Sequence, residues 1–379
     1  MEKTRLLFLI PNLMHGGAEK VLVNLVNNLD KERYDITVQT LFDVGVHKKS
    51  ILPHVHYKSV FKHQFKGNSH VFACFSPRTL YKTFIKEKYD IAVAYLEGVA
   101  ARIISGCPYS ETKKVAFIHI EQTDEKVFSQ GFKNIDEARA CYNKFDTIAF
   151  VSKTVEPTFT KYMDEIKPKL CVKYNVNEVE KIAEKAKEEV SDIVFEKDVV
   201  NFVSVAKIIP AKGYDRLARV HKRLLDAGFK HKIYILGVGE QQASIEKYLK
   251  ENLLENSFFF LGFRDNPYKY VQKADVYVCS SYKEGFSTAV TESLIVGTPV
   301  VTTLCSGMEE LLGENNEYGI IVESSEDGLY DGMKRMIESR ELIAHYREKA
   351  LLRAEKFSRL NTVRAYEEMF DELLCKEQV

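Results

Sequence analysis

The sequence predicts an α/β protein of two doubly wound domains, and three observations carry that prediction. A chain of 379 residues exceeds the usual size of one core, and a hydrophobic content of 45% is enough for two. Strand-like apolar runs alternate with amphipathic helical stretches in both halves, the pattern of parallel sheets covered by helices. Between the halves, residues 178–197 are dominated by Lys, Glu and Ala and read as a solvated helix at a junction. The expected division is a first domain over 1–173, a linker over 174–197, a second domain over 198–358 and a terminal helical segment over 359–379.

In the first half, strands are expected over 5–10, 36–41, 90–95, 114–119 and 147–151. The first follows a basic start and superficially resembles a signal peptide. Its apolar run is too short and lacks a small-residue cleavage site, so a buried strand ended by Pro11 is expected. Next comes His15-Gly16-Gly17-Ala18-Glu19, leading into a helix with Val21, Leu22, Leu25 and Leu29 on one face. Paired glycines let a backbone pass close to a ligand with N–H groups exposed, or simply make a turn. From 47 to 88 the chain carries Lys48, Lys49, Lys58, Lys62, Lys66, Arg78, Lys82, Lys86 and Lys88 against one acid, Glu87, with seven aromatic residues among them. Such a region suits an anionic membrane surface, or it is a solvated face whose aromatics are core. His119 ends a strand, where it either serves a ligand or is satisfied by backbone groups.

In the second half, strands are expected over 199–205, 232–236, 258–261, 276–280, 299–303 and 319–322. The loop after the first carries Lys207 and Lys212, two ammonium groups able to hold a diphosphate, or two solvated lysines. Gly237-Val238-Gly239 lacks the third glycine of a dinucleotide fingerprint and reads as a tight turn beside a nucleotide. The stretch from Glu284 to Glu292 joins a buried strand to a helix capped by Ser287. Free N–H groups at Ser287, Thr288 and Ala289 would suit a diphosphate. The two carboxylates would suit the vicinal diols of a sugar and a ribose. An ordinary capped loop is the other reading.

Lys plus Arg equals Asp plus Glu at 54 each, so net charge gives no argument for a nucleic-acid partner. The seven cysteines are scattered, without a C-x-x-C pair, which fits reduced thiols in a cytoplasmic protein. No apolar run reaches the length of a membrane-spanning helix. No Asp-x-Asp pair appears, so neither a metal nor another cofactor is expected.

The stretch from Glu284 to Glu292, with Phe259 to Tyr268 and Ala274-Asp275 before it and Gly307 to Leu311 and Tyr318 to Val322 after it, resembles the Glu-x7-Glu signature of the retaining glycosyltransferases of family 4. The Gly-Gly-Ala-Glu start and Lys212-Gly213 extend the resemblance over most of the chain. The resemblance implies the GT-B fold, two Rossmann-like domains facing a central cleft, with the terminal helix crossing back to the first domain. It implies a retaining hexosyltransferase that takes a nucleotide sugar, UDP-hexose ahead of GDP-mannose, to a glycan or lipid-linked acceptor in bacterial surface polysaccharide or glycolipid synthesis. Such an enzyme works in the cytoplasm, or peripherally at the inner face of the cell membrane. Glu284 would then meet the donor hexose and Glu292 the ribose, His119 would lie near the hexose, and Gly16 and Gly17 would approach the donor phosphate or the acceptor. Lys207 and Lys212 would hold the diphosphate, and Phe263 and Arg264 would border the base. The chain departs from the family where Ala206-Lys207 stands in place of Gly-Arg: charge is kept, the bidentate fork is lost. A nucleotide-sugar epimerase of the same architecture, a hydrolase using the two glutamates, and a binding module without turnover are the competing readings.

Overall fold

The computed structural model describes residues 2–14 and 16–375. They fall into two compact units, residues 2–176 with 360–375, and residues 177–359. In the first unit, β1 (Thr4–Ile10), β2 (Tyr34–Phe42), β3 (Val55–Phe61), β4 (Ile91–Ala94), β5 (Lys113–Ile118), β6 (Thr147–Phe150) and β7 (Lys169–Val172) form one parallel sheet in the order β3-β2-β1-β4-β5-β6-β7. The central strand is buried on both faces, and Leu6 pairs with Ile36 on one side and Ile91 on the other. Central strands of this kind read as unbroken apolar runs.

Two strands lie outside the expected set, β3 and β7. Both are sheet edges, so their side chains are only partly covered and charges such as Lys58 and Lys169 interrupt the apolar signal. The aromatics of the basic region are mostly interior. Phe61, Phe72 and Phe84 pack with Phe42 in one ring cluster, and Tyr81 is buried, while Phe65 and Phe75 reach the surface.

The helix Arg359–Cys375 belongs to this unit's core. Val363, Tyr366, Phe370 and Leu373 follow a three-and-four spacing that places them on one face. That face meets Phe8 and Phe117, and the Tyr366 and Phe117 rings stack with centroids 5.7 Å apart.

In the second unit, β8 (Val200–Val205), β9 (His231–Leu236), β10 (Phe258–Gly262), β11 (Val276–Cys279), β12 (Val300–Thr303) and β13 (Ile320–Val322) stand in the parallel order β10-β9-β8-β11-β12-β13. Each sheet grows outward from its first strand in both directions. The reversal between β1 and β4, and between β8 and β11, opens a crevice at the carboxyl ends where ligands of such sheets bind.

The charged segment after Asn177 is not a solvated linker. Its helix Val179–Ala186 buries Ile182 and Ala186 against the helices Tyr268–Lys273 and Thr288–Ile295. Beyond it, Asp192 accepts from the Tyr270 hydroxyl at 2.8 Å and from Arg264 at 3.0 Å. Two apolar positions four apart were enough to seat a helix that its charges make look exposed.

Candidate functional site

The loops that leave β8 and β11 are bonded to each other at the second unit's switch point. Tyr282 N–H donates to Ala211 O at 2.8 Å, and Ser280 Oγ donates to Lys212 O at 2.9 Å. Gly213, at φ +63°, completes this contact, because a Cβ there would lie 2.1 Å from Ser280 O. The close approach fixes Lys212, whose Nζ meets Glu284 Oε1 at 2.7 Å. Ser281 Oγ donates to the same carboxylate oxygen at 2.7 Å. Burial works against the Lys212 charge, but the attraction of Glu284 and its hydrogen bond prevail, so the lysine pKa is raised above its ordinary value.

The adjacent helix, Thr288–Ile295, begins at Ser287, which caps it by accepting from Val290 N–H. Among the described residues the N–H groups of Thr288 and Ala289 have no acceptor, leaving donors and the positive end of the helix dipole beside the ion pair. Glu292 is one turn further along and only 7% exposed. Lys207 is half-buried in the loop after β8. Gly237 and Gly239 turn against that loop: a Cβ on either would lie about 2 Å from Ala206 O or Ile208 O. Val238, Phe263, Tyr282 and Leu304 follow β9, β10, β11 and β12 in turn and are all exposed, an apolar rim at the carboxyl ends of the strands. Arg264 is committed to Asp192 and the Tyr270 hydroxyl, so only its backbone and Phe263 border the rim.

In the first unit, His119 follows β5 and is 8% exposed. Its N–H donates to Glu97 Oε2 at 3.0 Å, its ring packs on Tyr95 with centroids 4.9 Å apart, and its Nε2 is buried without a hydrogen-bond partner. Burial pushes its pKa down to about 4 against the opposing bond with the Tyr95 backbone, so the ring is neutral at pH 7. Burial likewise raises the Glu97 carboxyl, with backbone N–H groups pulling the other way. Gly16 is the N-cap of the helix Gly17–Asn28, and its extended backbone needs no special conformation. His15 lies outside the described residues.

Three residues of these sites carried no signal in the sequence. Ser281 is one of two serines after a strand, and Glu97 is an acid before a glycine. Arg216, on the helix Tyr214–Asp226, resembles a charge on the wet face of an amphipathic helix, yet it is 2% exposed.

Residues 185–353 match the model of the family described as glycosyl transferases group 1. The chain is 35% identical over 202 residues to the N-acetylgalactosamine-N,N'-diacetylbacillosaminyl-diphospho-undecaprenol 4-alpha-N-acetylgalactosaminyltransferase of Campylobacter jejuni, covering 52% of this chain and 53% of that protein. It is 30% identical over 133 residues to the poly(glycerol-phosphate) alpha-glucosyltransferase of Bacillus subtilis, 35% of this chain and 20% of that protein. The chain spans about half the length, or less, of the first curated relatives it matches. Among solved structures, HepE of Anabaena in complex with UDP and glucose superposes with a TM-score of 0.78 over 97% of this chain and 99% of that one, at 18% identity. The sucrose-phosphate synthase of Thermosynechococcus elongatus superposes with a TM-score of 0.80 over 99% of this chain and 100% of that one, at 13% identity.

Proposed function

We propose that this chain, a group 1 glycosyltransferase with the GT-B fold, moves a hexose from a nucleotide sugar to a glycan or lipid-linked acceptor with retained anomeric configuration. A UDP-hexose is the favoured donor and GDP-mannose the second. The observation that supports this most is the ion pair of Lys212 and Glu284 beside the open N–H groups of Thr288 and Ala289. A cation and helix-start donors suit a diphosphate, and a carboxylate within the same loop suits the hydroxyls of the attached sugar. The name of the Campylobacter relative includes a diphospho-undecaprenol acceptor, and HepE was solved with UDP and glucose.

In the proposed step the bond between the anomeric carbon and the diphosphate oxygen breaks, and its electron pair leaves with the diphosphate. The acceptor oxygen forms its bond on the same face, and its proton passes to the departing phosphate oxygen. Lys207, Lys212 and the helix start stabilise the charge that grows there, which is where preorganised donors contribute most. Glu284 orients the hexose, and Glu292 takes the ribose hydroxyls. The scheme uses no metal and no cofactor.

The acceptor is proposed to reach the first unit from a membrane. No helix among the described residues is long and apolar enough to cross a bilayer. Peripheral contact has a narrower basis than the sequence suggested, because Lys58 is paired with Glu87, Lys88 with Glu111, and Lys48 with Asp43. Lys49, Lys62, Lys66, Arg78, Lys82 and Lys86 stay exposed, and Lys62 and Lys66 lie close in sequence to the exposed Phe65, Val71 and Phe75, a short basic and apolar stretch.

Incubation with UDP- and GDP-sugars, with and without a lipid-diphosphate acceptor, followed by product analysis, tests the proposal. An extended acceptor of unchanged anomeric configuration is expected. Free sugar without acceptor would indicate a hydrolase, and a stereoisomer of the donor an epimerase.

A further inference from the structure

We infer that Arg216 is a positioning residue of the donor site, holding the loop that carries Glu284 and lending a buried positive charge to a diphosphate it does not touch. The inference rests on the donor reading above. Arg216 Nη2 donates to Ser280 O at 2.6 Å, to Ser281 O at 3.0 Å and to Thr303 Oγ1 at 3.4 Å, while Nη1 reaches Ser324 Oγ at 3.3 Å. The Tyr282 ring covers the guanidinium at 4.0 Å. One side chain thus ties together the carboxyl ends of β11, β12 and β13. Ser281, which it grips by the carbonyl, is the residue whose hydroxyl holds Glu284.

Among the described residues all of these partners are neutral, and Nε is buried without any partner. A buried cation without a counter-charge is costly, and a purely structural tie could be made by neutral groups. Lys212 and Glu284 cancel each other, so Arg216, with Lys207, leaves a net positive charge where these strand ends meet. A dianionic ligand would supply the missing counter-charge. Its planar fork reaches these acceptors through two fixed nitrogens at once, which the single nitrogen of an ammonium cannot.

The test uses the full chain with Arg216→Met, Arg216→Gln and Arg216→Lys. Binding of UDP and of uridine is measured by calorimetry and competition, kcat by product formation, and folding by thermal unfolding. Neutral variants that fold should lose about 10-fold or more in UDP affinity and less than about 2-fold for uridine, as expected for a lost charge in a dry site. Arg216→Lys should keep UDP affinity within about 3-fold yet lose about 10-fold or more in kcat, because a single ammonium nitrogen cannot reach the Ser280 and Ser281 carbonyls and the Ser324 hydroxyl together. Where the neutral variants do not fold, the fall in kcat at unchanged UDP affinity in Arg216→Lys decides the matter. Equal losses for UDP and uridine, or full kcat in Arg216→Lys, would overturn the inference while the donor reading stands. A wild-type chain that binds neither UDP nor GDP would end the donor reading, and this inference with it.

Discussion

Lys212 Nζ lies 2.7 Å from Glu284 Oε1, and Ser281 Oγ meets the same oxygen at 2.7 Å. A cation and an acid that read as separate donor contacts are therefore one bonded unit. The arrangement gives each of two largely covered charges a partner and a fixed direction before a ligand arrives.

Lys212→Ala should lower kcat by about 10²- to 10³-fold, or roughly 2 to 4 kcal/mol of transition-state stabilisation, if it meets the charge on the leaving diphosphate. Thermal stability should fall as well, because Glu284 is left largely buried without its partner, so kcat is compared on the folded variant. Near-normal turnover by the folded variant would show that the lysine only neutralises Glu284. Lys207→Arg should be tolerated in the same assay. Activity should also survive EDTA, and a strict metal requirement would contradict the proposed leaving-group site.

Glu284→Ala and Glu292→Ala should differ in kind. The first should lower transfer with UDP or GDP still bound, since Glu284 is assigned to the hexose. The second should weaken binding of the free nucleotide. Calorimetry returning equal losses for both would remove that assignment.

His119 should make the chain less stable in acid. Its folded pKa is lowered from 6.5 to about 4, so the folded state favours the neutral ring and the unfolded state binds the proton first. The stabilisation is complete above pH 6.5 and is lost as pH falls towards 4, amounting to roughly 3 kcal/mol. His231, with its pKa pushed down to about 4 by burial, acts in the same direction in the second unit. Denaturant titrations at pH 7 and 4.5 should show the loss, and His119→Gln should reduce it. An unchanged difference between the two pH values in that variant would mean that His119 is already protonated, or exposed, when folded.

Gly213→Ala should damage the site more than its size suggests. The backbone at φ +63° and the Ser280 carbonyl, 2.1 Å from an added Cβ, leave no room for it. Separation of the two loops would move Lys212 away from Glu284, so transfer should fall together with thermal stability. A variant as active and as stable as the parent would show that the loops can part without consequence.

Vesicles containing anionic lipid should bind the chain at low salt and release it at high salt. Lys62→Glu with Lys66→Glu should weaken binding, each charge contributing about 1 kcal/mol near such a surface. Lys58→Glu is a poor probe, because Lys58 is engaged with Glu87. Flotation that does not depend on lipid charge would point to an acceptor free in solution.

The sequence by itself determined the doubly wound class and, among the described residues, eleven of the thirteen strands closely, because strands of a parallel sheet covered by helices are largely apolar. It also determined the strand-to-helix placement of Glu284, Ser287 and Glu292, since capping and turn chemistry are local. Tertiary structure alone decided the rest. The edges β3 and β7 lack one covering neighbour, so their pattern is diluted by charge. The helix Val179–Ala186 is seated by two residues among many charges. Lys212 meets Glu284 across 72 residues of chain, and Arg216 reaches Ser280, Thr303 and Ser324 over 64 to 108. Such pairings are made where a switch point brings strand ends together, and no periodicity or local motif encodes which distant residue will be there.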